Sequence, residues 1–116
     1  MTSVTIYHNP RCSNSRGALD ILREAGVEPE VVEYLNTPPD AATLKQLLVQ
    51  MKMPVRALLR EKEAAFAALD LANPKWSEDE LLAFMIEHPV LINRPIVVTP
   101  KGVRLCRPPE IVKEIL

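Results

Sequence analysis

The order of the first 35 residues fixes most of what this chain can become. Val4-Thr5-Ile6-Tyr7 is β-branched and aromatic and reads as a strand. His8-Asn9-Pro10-Arg11-Cys12 breaks it. Ala18, Ile21, Leu22 and Ala25 then recur at helical spacing, and Gly26 supplies a C-terminal stop. Val31-Val32-Glu33-Tyr34-Leu35 reads as a second strand. Strand, helix and strand in that order predict a βαβ unit, with parallel strands and a right-handed crossover.

The middle of the chain is helical in pattern. Thr37-Pro38-Pro39-Asp40 resembles a capping box, with Thr37 as N-cap and Pro38 at the first helical position. Leu44, Leu47, Leu48 and Met51 form the apolar stripe behind it. Pro54 permits a new start, and Val55, Leu58 and Leu59 continue the pattern. Ala64 to Leu71 is Ala-rich, and Asn73-Pro74 marks a loop. Ser77-Glu78-Asp79-Glu80 is a second capping box, followed by Leu81, Leu82, Met85 and Ile86. Pro89 stops that helix after His88.

The last third changes period. Ile96-Val97-Val98-Thr99 is a short apolar run, Pro100-Lys101-Gly102 is turn chemistry, and Val103-Arg104-Leu105-Cys106 alternates. Together they predict an antiparallel hairpin, after which Pro108-Pro109-Glu110 opens a final helix. The chain holds 11 prolines, about double the average share of ~5%, and most fall at these boundaries. The expected fold is α/β and thioredoxin-like: a four-stranded mixed sheet with a helical subdomain inserted at about 37–90.

Composition narrows the function classes. A chain of 116 residues, 47% hydrophobic and 25% charged, is expected to form one domain over 1–116 with a real core. A net charge of −1 and 4% aromatics argue against a nucleic-acid binder, which needs a basic footprint or stacking platforms. No apolar run approaches the ~20 residues of a bilayer span, and no signal peptide is expected at the start. Two cysteines do not make a disulfide scaffold. No membrane association and a cytoplasmic setting with reduced thiols are therefore expected. No His/Cys cluster has metal-ligand spacing, so no metal is expected.

Cys12 carries the chemistry of this sequence. It falls at the junction of the first strand and first helix, where free N–H groups and the positive end of the helix dipole favour a thiolate. Arg11 and Arg16 push the same way, and the Ser15 hydroxyl is one helical turn away. The bland alternative is a buried small hydrophobe. Polar neighbours, at a junction that is normally exposed, favour the reactive reading. The motif Cys12-Ser13-Asn14-Ser15 lacks a second thiol, so an adduct on Cys12 must pass to an outside thiol. Cys106 reads as a packed thiol, useful to Cys12 only if the fold brings the two together. His8 either tunes Cys12 or orders the loop, and His88 reads as a helix C-terminal residue. Arg60, Arg94 and Arg107 sit at element edges, where guanidinium groups can hold a tetrahedral oxyanion. Arg94-Pro95, just before the third strand, is predicted to be cis, although only ~5–6% of X-Pro bonds are.

Four separated stretches resemble one family. They are Tyr7-His8-Asn9-Pro10-Arg11-Cys12-Ser13-Asn14-Ser15-Arg16, Val55-Arg56-Ala57-Leu58-Leu59-Arg60, Leu91-Ile92-Asn93-Arg94-Pro95-Ile96-Val97-Val98 and Arg104-Leu105-Cys106-Arg107-Pro108. From about Val4 onward the chain is similar to the glutaredoxin- and glutathione-dependent arsenate reductases. The resemblance implies a thioredoxin-like fold, Cys12 as the nucleophile that bonds to arsenic, and Arg60, Arg94 and Arg107 as oxyanion ligands. It implies His8 and Ser15 as supports that lower the Cys12 pKa. Arsenate is then the substrate, glutathione a co-substrate and glutaredoxin the partner, with no bound cofactor and a monomer expected. Some members carry a longer C-terminal tail, whose role is not expected here. A phosphatase-type arsenate reductase needs an arginine six residues after its cysteine, and that position is Ala18. An Spx-type regulator that binds RNA polymerase shares the fold but switches through C-x-x-C, which Ser15 interrupts. A thiol oxidoreductase of the same fold without arsenate activity is the closest competitor, and the three arginines favour arsenate over it.

Overall fold

A computed structural model describes residues 3–116. The chain forms two compact units, one built from the chain up to Thr37 together with Arg94–Leu116, the other from Pro38–Asn93.

The first unit is built on a mixed sheet. Its strands are β1 (Thr5–His8), β2 (Glu30–Glu33), β3 (Ile96–Thr99) and β4 (Gly102–Leu105), in the order β2-β1-β3-β4. β1 pairs parallel with β2 and antiparallel with β3, and β3 pairs antiparallel with β4. Helix α1 (Ser13–Glu24) makes the crossover from β1 to β2. Ala18, Leu19 and Leu22 of α1 join Val4, Ile6, Val97, Cys106, Val112 and Ile115 in one buried cluster. Three-to-four spacing on the helix and alternation on the strands put these side chains on facing surfaces. The βαβ opening and the closing hairpin follow the pattern read from the sequence. The predicted final helix is instead a 3₁₀ helix, Pro109–Ile115. Gly17 allows its close approach to α1: a Cβ there would stand 2.9 Å from Pro109 Cγ.

The second unit is helical: α2 (Ala41–Met51), α3 (Val55–Leu58), α4 (Ala64–Ala68), α5 (Glu78–Glu87) and a 3₁₀ turn at Pro89–Leu91. α5 packs against α2, α3 and that turn. The Ser77–Glu80 capping box forms as expected, with Ser77 Oγ accepting Glu80 N–H and the Glu80 carboxylate accepting Ser77 N–H. The Thr37 box does not. Asp40 is the N-cap of α2 and accepts Thr43 N–H at 2.7 Å, while the Thr37 hydroxyl donates back to Glu33 O. A carboxylate is at least as good an N-cap as a threonine hydroxyl, so the helix starts at the later of the two candidates. A bridge between Leu59 and Ile92 ties the end of α3 to the turn after α5. Arg60 N–H donates to Leu91 O and Asn93 N–H to Leu58 O, both at 2.9 Å.

Candidate active site

Cys12 is the N-cap of α1, with φ −92° and ψ 123°. The first turn of α1 carries no acidic residue, so nothing there offsets the positive end of its dipole. Cys12 stands outside the core cluster but is only 9% exposed, more enclosed than the open junction expected from its polar neighbours. Two arginines account for part of that enclosure. Arg107 Nη1 donates to Cys12 Sγ at 3.7 Å, and the Arg94 side chain also donates to the sulfur. Arg107 Nη1 donates in addition to Arg94 O at 2.8 Å, which ties the two arginine segments together.

Both arginines precede cis prolines. Arg94-Pro95 is cis, as read from the sequence, and Arg107-Pro108 is cis as well, which the sequence reading did not include. Each arginine also flanks a strand of the hairpin, so the β3–β4 pairing sets both backbones.

The ionisation of Cys12 follows from these neighbours. Burial pushes the thiol up. Backbone N–H groups of Ser15 and Asn14 and the side chains of Arg94 and Arg107 push it down further, and the result is about 7 against an ordinary 9.0. Hydrogen bonds and cations both favour the thiolate over the thiol. The cations that act are Arg94 and Arg107 rather than the neighbours in sequence. Arg16 Nη1 is bound to Pro10 O at 2.8 Å.

Ser15 and His8 form a buried pair. Ser15 Oγ lies 2.5 Å from His8 Nδ1 and accepts Asn9 N–H at 3.0 Å. The hydroxyl is thus turned to the loop, and the backbone N–H of Ser15 is what faces the sulfur. Burial lowers the His8 pKa, with Glu33 opposing and Arg23 and Arg16 assisting. A neutral ring with its proton on Nε2 accepts the Ser15 hydroxyl proton at Nδ1.

Arg60 lies in the second unit. Its Nε donates to Glu63 Oε1 at 3.1 Å and its Nη1 to Asn93 Oδ1 at 3.2 Å. Cys106 is fully buried in the core cluster, and burial, with help from Glu114 and against Arg104, pushes its thiol up to about 12. It packs as expected and holds a neutral thiol. Asn9 was passed over in the sequence reading, although Asn-Pro is a turn-initiating pair. It is 6% exposed, and its Oδ1 accepts Arg11 N–H at 2.9 Å. Among the described residues no group of three or more His, Cys, Asp and Glu side chains is placed to hold a metal ion. No helix among them is long and apolar enough to cross a membrane.

A thiolate faced by backbone N–H groups and two guanidinium groups can bind a tetrahedral oxyanion and attack its central atom. Known proteins share the whole frame. The arsenate reductase of Escherichia coli (strain K12) is 52% identical over 116 residues, covering 100% of this chain and 82% of that protein. The uncharacterized protein YfgD of the same organism is 53% identical over 114 residues, 97% of this chain and 96% of that one. The solved structure of an arsenate reductase from Vibrio cholerae aligns with a TM-score of 0.95 at 48% identity, over 99% of this chain and 98% of that chain. The ArsC family model matches residues 7–115. A match running from within β1 to the end of the last 3₁₀ helix, with identities near one half, places the chain in the ArsC family.

Proposed function

We propose that this chain reduces arsenate to arsenite through a covalent cysteine–arsenic intermediate, with glutathione and glutaredoxin as the reductants. The observation that carries this reading is the convergence on one sulfur of the N-terminus of α1, Arg94 and Arg107, with Arg107 Nη1 3.7 Å from Sγ. Arsenate has the shape and charge of phosphate, and backbone N–H groups with guanidinium forks are its natural ligands. The Cys12 thiolate attacks As(V), an S–As bond forms, and one oxygen leaves as water after protonation. A glutathione thiolate then attacks the Cys12 sulfur. The S–As bond breaks, its electron pair stays on arsenic, and As(III) is released as arsenite. Cys12 and glutathione supply one electron each and are left joined as a mixed disulfide, which glutaredoxin reduces.

Arg94 and Arg107 hold the oxyanion in this scheme, and the His8–Ser15 pair orders the loop around the thiolate. The family resemblance implies Arg60 as a further oxyanion ligand. The external thiol follows from Ser15, which stands where a second cysteine would be needed, and from Cys106, which is buried with a thiol at about 12. The chain works as a single domain and a monomer in the reducing cytoplasm, where glutathione keeps thiols free, and binds no metal or resident cofactor.

A coupled assay tests this. With arsenate, glutathione, glutaredoxin and glutathione reductase present, the chain is expected to drive NADPH consumption, and Cys12→Ser is expected to abolish it without unfolding the protein. Absence of arsenate-dependent turnover favours the second reading, a thiol oxidoreductase of the same fold without arsenate activity.

A further inference from the structure

Asn9 sits in the turn between β1 and α1 and spends three polar groups there. Its Oδ1 accepts Arg11 N–H at 2.9 Å, and its carbonyl accepts Cys12 N–H at 3.0 Å. Its own N–H donates to Ser15 Oγ at 3.0 Å, the hydroxyl that pairs with His8. The first bond closes an Asx-turn inside the four-residue turn Asn9–Cys12 that the second bond closes. The third bond anchors the start of that nested turn to the first turn of α1. At 6% exposure Asn9 is held in the turn, with its carboxamide oxygen fixed on Arg11 N–H.

Cys12 is the N-cap of α1, with extended backbone angles, and its sulfur faces the Ser15 and Asn14 N–H groups. The direction of its Cα–Cβ bond is therefore set by the turn that delivers it. We propose that Asn9 is a positioning residue for Cys12, its carboxamide locking the turn that aims the sulfur at the N-terminus of α1 and at Arg94 and Arg107. This rests on Cys12 being the reacting group, but not on arsenate being its substrate. Asn9 needs to touch no substrate to act: it keeps Sγ within reach of the Ser15 and Asn14 N–H groups and of both guanidinium groups. A few tenths of an ångström of drift weakens all four donors together.

The test compares Asn9→Ala and Asn9→Ser with the wild-type chain. Serine keeps a side-chain oxygen that closes the same turn more weakly. Cys12 alkylation is followed against pH with no oxyanion present, by mass spectrometry of the Cys12 peptide, and folding is followed by circular dichroism and urea titration. The expected result is a folded Ala variant whose midpoint rises by about one pH unit, with Ser in between. In the arsenate assay kcat is expected to fall by about tenfold in the Ala variant with KM nearly unchanged, since the carboxamide does not contact the anion. A midpoint that stays at the wild-type value in Asn9→Ala, or in Asn9→Ser if the Ala chain does not fold, overturns the proposal. Loss of folding in both variants overturns it too, because Asn9 would then serve stability in general. If the wild-type chain fails to turn over arsenate, the alkylation comparison still decides the role of Asn9.

Discussion

Cys12 ionises near pH 7 because four donors outweigh the cost of burying its charge. The folded value lies below the ordinary one of 9.0, so this ionisation stabilises the native state at alkaline pH, and the contribution is lost as pH falls through about 7. The alkylation rate of Cys12 is expected to rise with a midpoint near 7, and a midpoint near the free-thiol value of ~8.5 would remove the donors from the account. Arg107→Ala removes both the contact to Sγ and the tie to Arg94 O. A hydrogen bond to a charged group contributes about 1.5–3 kcal/mol. The variant is expected to lose about 10- to 100-fold in kcat/KM for arsenate and to raise the Cys12 midpoint. An unchanged midpoint would show that the arginine does not act on the sulfur. At this scale the sequence was most legible where the chemistry is local. A cysteine at a strand-to-helix junction, a serine three residues on and an arginine before proline could each be read directly. The role of Asn9 could not, because it depends on where backbone groups of the turn point. The orientation of the Ser15 hydroxyl toward His8 was hidden for the same reason.

Helix α1 does two jobs, presenting its N-terminus to Cys12 and its apolar stripe to the sheet. It packs against the C-terminal 3₁₀ helix, and that contact depends on Gly17. A methyl group there would meet Pro109 Cγ at 2.9 Å and Cβ at 3.2 Å, and a proline ring cannot swing aside. Alanine gains about 0.5–1 kcal/mol over glycine from helix propensity, but overpacking costs about 1–3 kcal/mol. Gly17→Ala is therefore expected to lower the urea midpoint, and a more stable variant would show that the 3₁₀ helix can shift. Element boundaries were less legible than element types. The Ser77 box could be read because its two partners are three residues apart. The start of α2 was misplaced because Thr37 and Asp40 are both good caps, and only the backbone after Pro39 decides between them. The 3₁₀ character of Pro109–Ile115 has no signature in an apolar spacing that suits either helix type.

Taken as a whole, the chain has one thiol that the proposed chemistry uses and one that packs in the core. Cys106 lies among Val4, Ile6, Leu22 and Val112, and burial, aided by Glu114 against Arg104, raises it from 9.0 to about 12. Its neutral form is the one the core accepts. The folded value is above the unfolded one, so the stabilisation is complete below pH 9 and is lost as pH climbs toward 12. Urea titrations between those limits are expected to show stability falling with pH, and the fall is expected to shrink in Cys106→Ala. The same variant is expected to keep arsenate turnover within about twofold, since no step uses that sulfur. The mixed sheet and its order follow from the βαβ opening and the closing hairpin, both of which the sequence displays.

Handing the adduct from a lone thiol to an outside one is the step on which the proposed chemistry turns. Incubating the reduced chain with arsenate and glutathione, without glutaredoxin, and mapping the products by mass spectrometry tests it most directly. The account predicts one glutathione in disulfide linkage on Cys12, none on Cys106, and one arsenite released per chain. Glutathionylation that proceeds equally without arsenate, or arsenite formed while Cys12 stays free, would contradict it.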